Sequence, residues 1–278
     1  MRPVPEARPT SAADGRAALF VWHGRALYVG GVPVASAPHR HHAAQAGVSL
    51  GSQFGVRPGE DEPYEAWAGF VAAPGAAHQI DARGAPGVFV WADPEHLAAG
   101  TFPAGGAPLR PVGEEQLRAL LPGLRSAGAG PLDCAGAEGL FWSVVRASFA
   151  TGGAPGRRPD PPDGRIRDAI ARMHEGDLLR AERPIGRLAA RVYLSEGRFR
   201  HLFRDQTGMS IGRYLLWERL LAAIDGAAKG APLSEAAHGA GFADSAHLSR
   251  EFRATFGLAP SEVFKNSRLV QVVPCPAR

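Results

Sequence analysis

Cysteine is nearly absent: only Cys134 and Cys275 occur in 278 residues. Two thiols cannot build a disulfide framework or a thiolate zinc site. Lysine is scarce as well. Apart from Lys229 and Lys265 every basic side chain is arginine, a bias that reads as coding composition and carries no functional weight. Long hydrophobic runs are missing, and the roughly 20 apolar residues needed to cross a bilayer occur nowhere. Residues 1–16 mix proline, arginine, glutamate and aspartate, which fits no signal peptide. These absences exclude membrane proteins, secreted disulfide scaffolds and zinc-finger readers. They leave the expectation of a soluble, cytoplasmic chain.

The 45% hydrophobic and 21% charged composition can bury real cores. At this length two domains are expected. The charge is divided between them. Residues 1–155 carry 11 basic against 13 acidic side chains, a net −2, whereas residues 156–278 carry 20 against 14, a net +6. An acidic half joined to a basic half suggests that only the second meets a polyanion.

Residues 1–16 read as a disordered tail. From 17 to about 99, short apolar segments at 19–22, 26–29, 47–50 and 88–91 alternate with Gly, Pro and Asp turns, as in an antiparallel sandwich or barrel. Two helical stretches follow. Leu117, Leu120, Leu121 and Leu124 share one face, as do Leu140, Phe141, Val144, Val145 and Phe149. Residues 151–164 hold four prolines and four glycines, which suit neither helix nor ladder, so they read as an interdomain linker. Residues 165–265 read as about seven short helices, and residues 266–278 as a C-terminal tail.

The helical half repeats itself. Ser195, Phe199, Phe203, Arg204 and Gly208 recur forty-nine positions on as Asp244, Leu248, Phe252, Arg253 and Gly257. Ala189 and Tyr193 pair with Ala237 and Gly241 at an offset of forty-eight. Each copy has a short helix with a small residue, a tight turn, then a helix opened by a capping oxygen, Ser195 or Asp244. The apolar residues turn inward at i, i+3, i+4 spacing and leave arginine and histidine outside. This is the layout of a helix-turn-helix unit.

The second copy, with Ala237, Gly241, Phe242, Ser245, Leu248, Ser249, Arg250, Phe252, Phe256, Gly257 and Pro260 in register, resembles the signature of the AraC/XylS family of transcription regulators. The first copy and the joining segment with Tyr214, Arg219 and Ala223 are similar to the family's other parts. Tyr193, where the family often has glycine, departs from the pattern, and its ring is expected to crowd the turn. Gly197 inside the first recognition helix is another departure, costing about 1 kcal/mol of helix stability relative to alanine.

The resemblance implies recognition helices at 195–205 and 244–255, set in successive major grooves about 34 Å apart. By matching positions Gly197, Arg200 and His201 in the first unit, and Ser245, Ala246, Ser249 and Arg250 in the second, face bases. Arg198 lies on the same open face. Arg204 and Arg253 sit deeper and are expected on phosphate or in salt bridges. The implied partners are double-stranded promoter DNA, a small-molecule effector and RNA polymerase, with a homodimer compatible. No membrane partner and no enzymatic activity are expected.

In the first half, Pro38 to Gln45 followed by Pro74, Gly75 and His78 resembles a reduced pair of cupin motifs. His39, His41, Gln45 and His78 would occupy the ligand positions of metal cupins. Gln45 replaces the usual carboxylate, and a neutral amide compensates a cation poorly. The expectation is therefore an effector-binding pocket with no metal and no cofactor, in a cupin-like β-barrel with flanking helices. The alternative is a metal-dependent cupin enzyme fused to a DNA-binding domain. The helices near 114–126 and 134–149 serve dimerisation, packing on the barrel, or both. Gly47, Ser49 and Gly51 match a hydrolase nucleophile elbow, but loop text rather than a helix follows, so Ser49 reads as a strand residue.

Overall fold

The computed structural model describes residues 10–11, 17–22, 24–31, 35–82, 84–94, 97, 101–102, 106–128, 131–149, 163–173, 178–207, 210–264 and 270–275. Its first half is built on strands β1 (Thr10–Ser11), β2 (Ala17–Trp22), β3 (Arg25–Gly31), β4 (Ala44–Ser49), β5 (Phe54–Arg57), β6 (Glu65–Trp67), β7 (Gly69–Ala72), β8 (Gln79–Asp81), β9 (Pro86–Ala92) and β10 (Leu109–Pro111). Helix α1 (Glu114–Gly128), β11 (Pro131–Leu132) and α2 (Cys134–Phe149) complete it. Seven helices follow among the described residues: α3 (Gly164–Met173), α4 (Pro184–Arg191), α5 (Glu196–Thr207), α6 (Ile211–Ala228), α7 (Leu233–Gly239), α8 (Ser245–Phe256) and α9 (Pro260–Phe264). A last strand, β12 (Val270–Pro274), ends the described chain.

Side-chain alternation on the strands explains how the layers form. Successive residues point to opposite faces, so Ala18, Phe20 and Trp22 of β2 enter one core with Leu27 and Val29 of β3. Leu120, Leu124, Leu140, Phe141, Val144 and Val145 cover that face from α1 and α2. The intervening Leu19 and Val21 point the other way, into a core shared with Trp217, Leu220, Leu221 and Ile224 of α6 and with Leu248 and Phe252 of α8. Elsewhere on that second face Phe70 and Phe89 meet Phe54, Val56 and Ile80 of the smaller sheet. The expected leucine stripe on α1 is uneven, since Leu121 is left 47% exposed.

The larger sheet has the order β10-β7-β4-β9-β3-β2-β12, and the smaller one β6-β5-β8. Among the described residues the two sheets do not close into a barrel. Outside the named strands His39 and His78 form an isolated antiparallel bridge. The domain is sheet-rich, short of the closed barrel expected. One edge of the larger sheet is taken by β12, which pairs in parallel with β2, from Val270 beside Ala17 to Pro274 beside Val21.

That strand corrects the reading of residues 266–278 as a tail. After the helical half, the chain returns to the larger sheet. Cys275 bonds Cys134, the first residue of α2, across 141 positions of sequence. Two cysteines make no framework, yet they fasten the end of the chain to its middle. The N-terminal tail is also not wholly without structure, because β1 pairs with β11. The expected linker lies outside the described residues except for Asp163 and Gly164.

Candidate nucleic-acid interface and effector site

Each helix-turn-helix unit is held by the capping that its sequence supplies. The Ser195 hydroxyl accepts from the Arg198 backbone N–H at 3.3 Å, and the Asp244 carboxylate accepts from that of His247 at 2.6 Å. Phe199 and Phe203 are buried against Leu188, Ala189 and Tyr214, and Leu248 and Phe252 against Ala237 and Phe242. Gly197, Arg198, Arg200, His201 and Arg204 on α5 are exposed, as are Ala246, Arg250 and Arg253 on α8. Ser245 and Ser249 are half-buried, and the Ser249 hydroxyl donates to the Ser245 carbonyl at 2.7 Å.

Two local features modify what the exposed face presents. The Arg200 guanidinium rests on Glu196 one turn back, with Nη2 at 2.7 Å and Nε at 3.2 Å from the same carboxylate oxygen. Beside Arg200, and with Arg183 at 3.5 Å, the Glu196 carboxyl is held below its ordinary range. His201 stands 3.3 Å from Asp205. Apart from its own helix backbone and chain neighbours, nothing lies within 4 Å of the point where a Gly197 side chain would begin, so packing does not require this glycine.

The two turns differ in a way that sequence did not show. Tyr193 takes a left-handed φ of 57°, and its ring is 95% exposed. It crowds nothing, contrary to expectation. Its counterpart Gly241 has φ 85°, and a Cβ there would fall 2.2 Å from the Leu179 carbonyl oxygen. That same carbonyl accepts from Arg219 Nε at 2.9 Å. Glycine is obligatory in the second turn and dispensable in the first.

In the sheet-rich half the structure brings His39, His41, Gln45 and His78 together. All four are buried. His41 Nε2 and His78 Nε2 each lie 2.8 Å from Gln45 Oε1. The other ring nitrogen faces a backbone carbonyl in every case: His39 that of Ala37 at 2.9 Å, His41 that of Ala43 at 2.7 Å, His78 that of Ala76 at 3.0 Å. One nitrogen from each of the three rings lies within 4.8 Å of the others, a spacing that suits a metal ion. Burial lowers all three pKa values, that of His39 to about 3, so the rings are neutral.

A cavity of about 230 Å³ opens beside this cluster, between the two halves. Arg40, His41 and His42 line it from the sheet-rich half, facing Arg213, Leu216, Trp217 and Glu251. Among the described residues the His42 ring nitrogens have no hydrogen-bond partner, and Asp93 stands 3.5 Å away. Burial lowers the His42 pKa to about 3, helped by neighbouring His41 and Arg213. Of the four residues expected to form the pocket, His41 lines this cavity. Arg40, His42 and Arg213 went unrecognised because residues from distant parts of the chain create the space. Ser49 ends β4 and hydrogen-bonds within its own turn, with no helix following.

Comparison with known proteins agrees with this geometry. Residues 188–266 match the model of a helix-turn-helix domain family. The uncharacterized HTH-type transcriptional regulator YidL of Escherichia coli is 35% identical over 111 residues, 40% of this chain and 37% of the relative's own length. The chain thus matches well under half of that curated relative. ToxT of Vibrio cholerae superposes over 87% of this chain and 97% of its own, at a TM-score of 0.51 and 12% identity. ToxT with bound unsaturated fatty acid gives 0.50 over 86% of this chain and 94% of its own, again at 12% identity. At such identity the likeness establishes the two-domain fold. The paired, capped helical units and the match over 188–266 show that this part of the chain is a helix-turn-helix domain, similar to those of HTH-type transcriptional regulators.

Proposed function

We propose that the chain is a sequence-specific DNA-binding transcription regulator controlled by a small effector. Residues 17–150 form the sensor and dimerisation unit, 151–164 a linker and 165–265 the reading unit. The observation that carries this reading is the pair of capped helices α5 and α8 with arginine on their open faces, within a matched helix-turn-helix domain. These helices enter successive major grooves. Gly197, Arg200, His201, Ser245, Ala246, Ser249 and Arg250 face base edges, while Arg198, Arg204 and Arg253 contact phosphate. The fork of Arg200 fits the O6/N7 edge of guanine. In the free protein Glu196 holds that fork, so only a base offering two acceptors compensates for releasing it.

The paired sheets are the walls of a cupin-like sensor. The interdomain cavity suits a small organic acid, with Arg40 and Arg213 for a carboxylate and Leu216, Trp217 and Leu220 for an apolar body. The ToxT structures solved with an unsaturated fatty acid, and with a naphthalenyl-butenoic acid, support this ligand class. Pairing through α1 and α2 and contact with RNA polymerase belong to the same reading, as does a cytoplasmic location. Among the described residues no helix is long and apolar enough to cross a membrane.

Binding to a library of sites selected by the protein itself tests the assignment. Arg200→Ala is expected to cost about 1–3 kcal/mol on the best site and to relax one base position. Arg204→Ala is expected to weaken all sites alike and to lower the salt slope by about one. Identical behaviour of the two variants across the library would remove Arg200 from the bases.

A further inference from the structure

The last described strand sits on a seam between two cores. Strand β12 lies at the edge of the larger sheet, parallel to β2, and the Cys275 backbone N–H extends that ladder by donating to the Val21 carbonyl at 2.9 Å. Alternation along β12 divides its side chains. Val272 packs on the core shared with α6 and α8, while Val273 and Cys275 pack on the core that α1 and α2 cover. A five-residue strand paired in parallel on one side is weakly held by its ladder alone.

The bond from Cys275 to Cys134 changes what a detachment of β12 would mean. Cys134 begins α2, and the bond closes a ring across 141 positions that contains every helix from α3 to α9. With the bond closed, the helical half is tied covalently to the sheet-rich half at both of its ends. With the bond open, one of those ends is held by the β12 ladder and apolar contact only. Both cysteines are half-buried, within reach of a small thiol in solvent. Exposed disulfides are the ones that exchange, whereas enclosed ones act as permanent staples. Cys275 stands at the margin of its core, whose centre is built from buried apolar side chains such as Phe20, Leu27, Phe141 and Val144. Opening the bond therefore leaves the fold of each half standing.

We propose that Cys134 and Cys275 form a redox-responsive modification site, closed and opened by exchange with small-molecule disulfides and thiols, and that its state sets how freely the helical half moves against the larger sheet. Closure with oxidised glutathione takes two steps. One cysteine thiolate attacks the glutathione disulfide, forming a mixed disulfide and releasing one glutathione thiolate. The other cysteine, as thiolate, then attacks the protein sulfur of the mixed disulfide and releases the second glutathione. Two protein thiols are oxidised, one glutathione disulfide is reduced to two thiols, and the two cysteine protons end on the glutathiones. Excess reduced glutathione drives the reverse. The closed bond confines the helical half to the orientation set at its seam with β2. The open bond lets that half settle on a duplex, so the reduced chain binds DNA more tightly. By reciprocity DNA favours the open form by the same factor. This consequence for DNA rests on the DNA-reading proposal, and the redox site does not.

The test uses the full chain in glutathione buffers of graded reduced-to-oxidised ratio. Thiols are counted by alkylation and mass, amide exchange is followed, and affinity is measured for self-selected DNA sites. We expect no alkylated thiol in the oxidised chain and two in the reduced one. Reduction should speed exchange at residues 271–273 and along β2, and should raise DNA affinity by about 5–150-fold. Cys134→Ser and Cys275→Ser should match the reduced chain in every buffer. Reduced wild type, which carries no substitution, guards against a folding defect in either variant. A bond that stays closed in reduced glutathione, or mixed disulfides with no internal bond, overturns the site. Unchanged exchange at 271–273 on reduction overturns the transmission. Equal or weaker DNA affinity in the reduced chain, or a redox effect that persists in Cys275→Ser, overturns the link to DNA. If neither form binds DNA, the DNA-reading proposal fails with that link, while thiol counts and exchange still decide the redox site.

Discussion

Single residues explain where the two helix-turn-helix copies diverge. Tyr193 holds a left-handed backbone that costs an ordinary side chain about 1–2 kcal/mol, with its ring in solvent and no packing in return. Tyr193→Gly should therefore raise stability by up to about 1 kcal/mol, less the added freedom of the unfolded chain. Gly241→Ala should lower it by more than about 2 kcal/mol, since the new Cβ meets the Leu179 carbonyl. Chemical denaturation of both variants checks the pair, and equal shifts would contradict the contrast. The buried histidines make a second residue-scale case. His39 and His42 both titrate near pH 3 when folded, below the unfolded value of 6.5. Above pH 6.5 both states are neutral. Below it the unfolded chain binds more protons, so stability falls as pH drops from about 6.5 toward 3, by up to about 1.4 kcal/mol per pH unit for each histidine. Denaturation midpoints measured between pH 7 and pH 4 should show that slope, and His42→Phe should reduce it.

Elements gain their roles from the faces they share. Helix α8 has two functional surfaces. Ala246, Arg250 and Arg253 face solvent, while Glu251, Ala254 and Thr255 line the cavity shared with the sheet-rich half. Helix α6 joins the two helix-turn-helix units and lends Trp217, Leu220, Leu221 and Ile224 to the core beneath β2. Strand β12 is followed directly by a disulfide to α2. The Cys134–Cys275 bond closes a loop spanning the whole reading unit. Cys275→Ser is expected to cost about 2–4 kcal/mol under oxidising conditions and nothing in reductant. It should also loosen β12, seen as faster amide exchange at residues 271–273. Equal stability of variant and wild type without reductant would show that the bridge contributes nothing. Such bonds are rare where glutathione keeps thiols reduced, so the compartment decides whether the fastening is closed.

At the scale of the whole molecule the two halves are not beads on a string. Leu19, Val21 and Ala43 share one apolar core with α6 and α8. Interfaces of that kind hold domains in one orientation, whereas small polar ones permit free motion. The helical half is anchored at this core, and its chain returns to the larger sheet through β12.

The sequence by itself determined everything that local pattern and repetition encode. The 49-residue repeat, the caps Ser195 and Asp244, and the inward Phe199, Phe203, Leu248 and Phe252 all lay in short windows with a fixed helical period. The gathering of His39, His41, Gln45 and His78 was legible too, because alternation along extended chain and a recognisable motif pair pointed to it. Tertiary structure alone decided the rest. The edge strand β12, the bond between Cys134 and Cys275 and the cavity between Arg40 and Arg213 join residues tens to hundreds of positions apart. No local period records such a pairing. It follows from which apolar faces remain uncovered once each half has folded, and here the second face of β2 and β3 was covered by α6 and α8.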